Sequence, residues 1–337
     1  MKAVGYQKSL PITDERSLMD VELPKPVPAG RDLLVKVQAV SVNPVDTKMR
    51  MRTEPPAGQW RVLGWDAVGV VEAAGPEAKL FKAGDSVFYA GTLNRQGTNS
   101  EYHLVDERIV GPKPGSLSNA EAAALPLTAI TAWEMLFDRL DVRRPVPGPS
   151  NAILIVGGAG GVGSIAVQLA RVLTDLTVIA TASRPETAAW VKQLGAHHVV
   201  DHGKPLAAEV AKLGIGAPAF VFSTTQTDRH FDQIAEVLAP QGRFGLIDDP
   251  DLIDMRKLKR KSASLHWEFM LTRSMFETPD VLEQNKLLTE VAHLVDAGKI
   301  RTTLGDTYGA INAANLRRAH ALIESGTAKG KIVLDGF

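Results

Sequence analysis

The stretch Gly157-Gly-Ala-Gly-Gly-Val-Gly163 has the spacing that cradles a phosphate, because Gly158, Gly160 and Gly163 fit G-x-G-x-x-G. An apolar run of strand length, Ala152-Ile-Leu-Ile-Val156, leads into it, and a helical pattern opens after it at Ser164-Ile-Ala-Val-Gln-Leu-Ala-Arg171. Strand, tight turn and helix, in that order, bind a dinucleotide. The first glycine permits the turn, the second lets backbone approach a pyrophosphate, and the third allows close helix–strand packing. The backbone of Gly158, Ala159, Gly160, Gly161, Val162 and Gly163 is therefore assigned to the cofactor. The helix N-terminus adds N–H groups that have no intrahelical acceptor.

The second strand of such a unit ends in an acidic residue when the cofactor is NAD, to bond the ribose 2′-hydroxyl. Here that place reads Ala180-Thr-Ala-Ser-Arg184, with no carboxylate. Arg184 would attract a 2′-phosphate and Ser183 would donate to it, so NADPH is the expected cofactor. Ser183-Arg-Pro-Glu186 also fits a helix capping box, and the two readings are compatible. Thr224 and Thr225, just past a later strand, are placed near the ribose or nicotinamide.

The elements around these residues fix the frame. Residues 1–126 read mostly as strands and turns, such as Leu33 to Val40, followed by a helix capped by Ser118 and another from Ala129 to Arg139. The proline-rich stretch Arg143-Arg-Pro-Val-Pro-Gly-Pro-Ser150 can be neither helix nor central strand. Past it, strands and helices alternate with short connections, which implies a parallel, doubly wound sheet. A long helix, the helix Ala313 to Glu324 and a terminal strand at Lys331 to Leu334 follow.

The 337 residues suit two domains, and Lys+Arg and Asp+Glu both number 38, so nothing favours nucleic acid or an anionic membrane as partner. A small molecule is the expected substrate. The local run Arg256-Lys-Leu-Lys-Arg-Lys261 reads as a solvated loop. There are no cysteines, which excludes disulfides and thiolate-based zinc sites. No apolar run is long enough to span a bilayer, and Met1-Lys-Ala-Val-Gly-Tyr6 lacks the core of a signal peptide, so a cytoplasmic protein is expected.

Several motifs in order resemble the medium-chain dehydrogenase/reductase superfamily, in particular its zinc-free quinone oxidoreductase branch around zeta-crystallin. They are Met1-Lys-Ala-Val4, Ser41-Val-Asn-Pro-Val-Asp46, Gly64-Trp-Asp-Ala-Val-Gly-Val-Val-Glu72, Phe81-Lys-Ala-Gly-Asp-Ser-Val87, the glycine turn and Gly330-Lys-Ile-Val-Leu334. The resemblance implies an α/β fold in which a Rossmann doubly wound parallel sheet, residues 127–271, is inserted in a GroES-like, partly open β-barrel catalytic domain, residues 1–126 and 272–337. It also implies a homodimer paired through the Rossmann sheet edge.

In the zinc alcohol dehydrogenases of this superfamily, a Cys, a His and a second Cys hold the catalytic metal. Asn43 stands where the first Cys would be and Trp65 where the His would be, and the second Cys is missing near Leu127. The resemblance thus implies a reductase without metal. Asn43 is the expected donor to the substrate oxygen, with a turn role before Pro44 as the alternative. Asp46 orients Asn43, relays a proton, or caps the helix Thr47 to Met51. Thr131 matches a family threonine near the nicotinamide, and His202 lies where relatives place an aromatic residue near the adenosine. Lys331 is assigned to the cofactor, and Trp65, Tyr89 and Trp267 to the walls of the substrate pocket.

Without a Lewis acid, negative charge developing on a substrate oxygen needs a conjugated system to spread over. The expected reaction is hydride transfer from NADPH to a quinone or enone. The competing readings are an alcohol dehydrogenase of the same fold and a non-enzymatic NADPH- or RNA-binding protein.

Overall fold

Alternating burial draws the first strands. In the computed structural model, which describes residues 1–148 and 150–337, β1 (Lys2–Tyr6) pairs with β2 (Met19–Glu22). The long β3 (Asp32–Val42) runs into α1 (Pro44–Arg52), which starts earlier than the expected Thr47 because Pro44 is preset for a first helical turn. Then come β4 (Arg61–Val62), β5 (Ala67–Ala74), β6 (Ser86–Tyr89), β7 (Tyr102–Asp106) and β8 (Val110–Pro112). Ser118 caps α2 (Asn119–Ala123) reciprocally with Glu121, as its S-x-x-E spacing predicts.

The expected helix Ala129 to Arg139 is two pieces, α3 (Pro126–Trp133) and a π-helical stretch, Glu134–Arg139. The wide turn closes with Leu140 N–H donating to Met135 O, and Met135 lies so close to Gly245 that a Cβ there would stand 2.2 Å from its sulfur. Of the proline-rich connector, Pro149 lies outside the described residues.

From Ser150 the chain alternates strand and helix. β9 (Ser150–Val156), α4 (Gly161–Leu173), β10 (Thr177–Thr181), α5 (Pro185–Gln193), β11 (His198–Val200) and α6 (Leu206–Ala211) come first. β12 (Pro218–Ser223), α7 (Thr227–Val237), β13 (Arg243–Leu246), α8 (Arg256–Lys259) and β14 (Ser264–Trp267) complete the series. The six strands form one parallel sheet in the order β11-β10-β9-β12-β13-β14, the doubly wound arrangement with its reversal between β9 and β12. One side of its core packs Leu154, Val156, Val221, Phe244 and Leu246 against Phe231 and Ile234 of α7.

The chain then adds α9 (Thr272–Phe276), α10 (Glu283–Asp296), β15 (Leu304–Thr307), α11 (Ala313–Glu324) and β16 (Lys331–Asp335). β16 pairs antiparallel with β3, so the last strand of the chain joins the sheet that its early part began. That sheet has the order β15-β16-β3-β5-β6-β8, with β7 also on β3, and forms the GroES-like domain. Two compact units result, Met1–Ile130 with Leu271–Phe337, and Thr131–Met270. The change from one unit to the other falls within α3, against the residue 127 read from the sequence.

Candidate active site

In the Thr131–Met270 unit, the glycine turn connects β9 to α4 at the strand-order reversal, where open parallel sheets take their ligands. The sequence reading gave the turn to Gly158. The structure gives it to Gly157, whose φ is +81°. Gly163 makes the close approach, since a Cβ there would lie 2.2 Å from Gly157 O. α4 begins at Gly161, not Ser164, with Gly160 at its N-cap. The first-turn amides of Gly161, Val162 and Gly163 therefore lack intrahelical acceptors. A Cβ on Gly160 would meet no protein atom closer than 3.5 Å, so this turn leaves the room a pyrophosphate needs. The residues present fit a dinucleotide.

Thr181, to which the sequence reading gave no role, organises the turn. Its Oγ1 accepts from Gly157 N–H at 2.9 Å, and its carbonyl accepts from Gly158 N–H at 3.1 Å. The same hydroxyl shares a 3.0 Å hydrogen bond with His202 Nδ1, so His202 reaches the turn through Thr181. Burial holds the His202 imidazole below its usual range, and its ring meets His230 edge-on at 5.9 Å. Thr224 Oγ1 donates to Val156 O at 2.8 Å, and both Thr224 and Thr225 lie beside Gly157. Arg184, not Ser183, occupies the N-cap of α5, and its Nε lies 3.0 Å from Glu186. Thr187 rather than Glu186 closes that cap, because its hydroxyl reaches the Arg184 backbone. Ser183 is exposed and Ala159 nearly enclosed, while Thr131 is buried in α3.

Trp267 departs from its assignment. It ends β14, an edge strand bonded only to β13, and 53% of its surface is exposed. It stands on a sheet edge rather than in a pocket wall. Within the basic run Arg256 pairs with Asp254, Lys257 with Asp232, and Lys261 donates to two carbonyls.

The other unit gathers a buried polar cluster around Asp66, to which the sequence reading gave no role of its own. Asp66 Oδ2 accepts from Ser41 Oγ at 2.7 Å, Asn43 Nδ2 at 2.8 Å and Lys331 Nζ at 3.1 Å. Its Oδ1 accepts from the Leu127 N–H at 2.7 Å. Lys331 also donates to Val42 O at 3.0 Å and to Asn43 Oδ1. All of these side chains are buried. Two assignments are corrected here. Asn43 does not offer its amide to a substrate, because Nδ2 faces the Asp66 carboxylate and Oδ1 the Lys331 ammonium. Lys331 does not reach for a cofactor, because its three protons already have acceptors within this cluster.

Asp46 sits beside the cluster. It is the third residue of α1 and accepts the Asn43 N–H on Oδ2 at 2.7 Å, tying the helix entry together. Burial pushes its carboxyl up to about 7, with the Asn43 N–H and Lys331 opposing the rise and Asp66 adding to it.

Trp65 and Tyr89 are fully enclosed, so neither presents a wall to a ligand. Trp65 Nε1 donates to Thr92 O at 3.1 Å. His103 Nε2 lies 2.9 Å from Gln96 O, a pure acceptor, so Nε2 carries the proton and Nδ1 accepts from Tyr89 Oη at 3.2 Å. Burial lowers His103 to about 4, which keeps that neutral form.

A glycine turn at the reversal of a six-stranded parallel sheet, in a chain that also carries a GroES-like domain, defines a nicotinamide-type oxidoreductase. The chain belongs to the medium-chain dehydrogenase/reductase superfamily. Residues 29–126 match the alcohol dehydrogenase GroES-like domain, and residues 194–334 match the zinc-binding dehydrogenase family. A zinc-type alcohol dehydrogenase-like protein of Staphylococcus aureus is 40% identical over 342 residues, covering 99% of this chain and 100% of the relative. A putative zinc-dependent alcohol dehydrogenase from Rhizobium etli superposes with a TM-score of 0.99 at 67% identity, over 100% of this chain and 98% of the other. A quinone oxidoreductase of Pseudomonas syringae has a TM-score of 0.82 at 26% identity, over 99% of both chains.

These names imply zinc, and the donor set here does not fit it. Among the described residues, no group of three His, Cys, Asp or Glu converges. Both oxygens of Asp66, the carboxylate that the Asn43 side chain contacts, are already engaged, and Asp46 beside it accepts the Asn43 N–H. No helix of the described residues is long and apolar enough to cross a membrane.

Proposed function

We propose that this oxidoreductase uses NADPH to reduce conjugated carbonyl compounds, quinones or enones, without a metal. The observation that carries the reading is the saturation of Asp66 by Ser41, Asn43, Lys331 and the Leu127 amide. An ammonium and a carboxamide occupy the neighbourhood where metal ligands would be needed. Charge developing on the acceptor must then be spread by the acceptor itself, which favours a quinone or enone over a simple ketone.

Bound NADPH would supply the hydride. The chain's own residues do the rest. The amides of Gly161, Val162 and Gly163 receive the pyrophosphate, and Arg184 with Ser183 receives the 2′-phosphate, in competition with Glu186. Asp46, fully buried, fixes the entry of α1 by accepting the Asn43 N–H, and the proton that completes the reduction comes from solvent. Thr131 remains assigned to the nicotinamide.

The proposal includes a homodimer. β14 leaves one edge of the parallel sheet open, with Trp267 and Phe269 53% and 48% exposed, and a second copy would pair with that edge.

The test is oxidation of NADPH and of NADH against a panel of quinones, enones, aldehydes and alcohols, with and without a chelator. Quinone- or enone-dependent NADPH oxidation that survives the chelator is expected. Stoichiometric zinc in active protein, or turnover confined to alcohols, would overturn the reading.

A further inference from the structure

One hydroxyl group joins the glycine turn to a histidine. Thr181 ends β10 and is closed to solvent, and its Oγ1 has two partners among the described residues, Gly157 N–H at 2.9 Å and His202 Nδ1 at 3.0 Å. A hydroxyl has one proton to give and two lone pairs to offer. Gly157 N–H can only donate, so it takes a lone pair. The hydroxyl proton, buried and with no other acceptor, goes to His202 Nδ1. Nδ1 therefore accepts, and the one proton of the neutral imidazole lies on Nε2. Burial favours that neutral ring, against the opposing pull of Asp201. No hydrogen bond among the described residues engages Nε2, so its N–H is a donor still to be used.

The same ring stands at the ligand end of the sheet. Thr181 and Val200 are register partners across β10 and β11, and Ala182 N–H donates to Val200 O at 3.0 Å. Ser183 and His202 each lie two residues beyond that last pair, so both leave the C-terminal edge where open parallel sheets take ligands. His202 is half-buried there, and His230 of α7 meets its ring edge-on at 5.9 Å.

We propose that Thr181 is a positioning residue for the dinucleotide: its hydroxyl locks the glycine turn through Gly157 and fixes His202 in the tautomer that offers Nε2–H to the adenosine half of the cofactor. The inference rests on the reading of this turn as the cofactor site. The two bonds reinforce each other, because a hydroxyl that accepts from Gly157 donates more strongly to Nδ1. A valine at position 181 keeps the shape and removes the hydroxyl. Gly157 N–H then has no acceptor, and His202 can carry its proton on either nitrogen. The Thr181 carbonyl still holds Gly158 N–H at 3.1 Å, so the loss reports the hydroxyl rather than the strand.

Nitrogen-15 NMR of the full chain, with the His202 signals assigned by His202→Phe, reads the tautomer at a pH above the imidazole range. The parent and Thr181→Ser are expected to hold the proton on Nε2, and Thr181→Val to populate both forms. A parent with its proton on Nδ1 overturns the inference. Calorimetric titration then compares NADPH with NADH, which share the pyrophosphate and the adenosine half. Thr181→Val is expected to bind both about tenfold more weakly, Thr181→Ser to bind as the parent does, and His202→Phe to lose affinity for both. The double variant is expected to lose less than the sum of the two losses, because the hydroxyl acts in part through His202. Unchanged affinity in Thr181→Val or in His202→Phe, or losses that add in full, overturns the inference and leaves the cofactor reading intact. A parent that binds neither cofactor overturns both.

Discussion

The Ser41 hydroxyl donates to Asp66 Oδ2 across 2.7 Å, and both side chains are closed to solvent. A hydrogen bond to a buried carboxylate contributes about 1.5–3 kcal/mol. Ser41→Ala should lower the unfolding free energy by that amount, measured by urea titration. Ser41→Thr, which retains the hydroxyl, should lose less. An alanine variant as stable as the parent would mean Asp66 is satisfied without it.

His320 gives the stability a pH dependence. Its ring is buried beside Arg50, and neither nitrogen has a hydrogen-bond partner among the described residues. Burial, and then the Arg50 charge, lower it to about 3. The unfolded chain binds this proton at about 6.5, so the contribution is complete above that pH and is lost as pH falls toward 3. The loss amounts to at most about 1.4 kcal/mol per unit. Urea midpoints of the parent and His320→Leu, compared at pH 7 and pH 5, should show the parent losing more on acidification than the variant. Parallel pH dependences in the two proteins would remove His320 from the account.

On the proposed reading, Arg184 and Glu186 divide the choice of cofactor between them. Their ion pair, 3.0 Å apart on the surface, adds little to stability. Arg184→Ala should weaken NADPH binding about tenfold while sparing NADH, and Glu186→Gln should strengthen NADPH binding by freeing the guanidinium. Calorimetric titration with both cofactors checks this, and equal losses for the two would be inconsistent with a 2′-phosphate contact.

The open edge of the parallel sheet predicts an oligomeric state. Trp267→Lys places a charge on an exposed aromatic of β14 and should convert a dimer into a monomer in light scattering, with the fold retained by circular dichroism. A parent that is already monomeric would dismiss the edge as an interface.

Local signals were legible from the sequence, and distant partnerships were not. The capping box at Ser118, the terminal strand at Lys331 and the alternation after Ser150 all follow from neighbours in the chain. The glycine turn was legible as a motif, but the assignment of the left-handed residue was not, since Gly157 and Gly158 are chemically identical and are told apart only by the fold, which gives Gly157 the positive φ and binds its N–H to the Thr181 hydroxyl. The Asp66 cluster draws on Ser41, Asn43, Leu127 and Lys331, whose separation from Asp66 reaches 265 positions, so no spacing rule could find it. Trp65 and Tyr89 show the same limit, because an aromatic residue reads alike in a pocket wall and in a core.

The return of β16 to β3 bears on the order in which the protein is made. Thr131–Met270 is one uninterrupted length of chain and is complete once residue 270 has left the ribosome. The other unit must wait for β16, residues 331–335, which brings both a strand for β3 and the counter-charge for Asp66. Until then a carboxylate destined for burial has no cation beside it. A nascent chain stalled before Lys331 therefore carries a folded middle and an unfinished beginning.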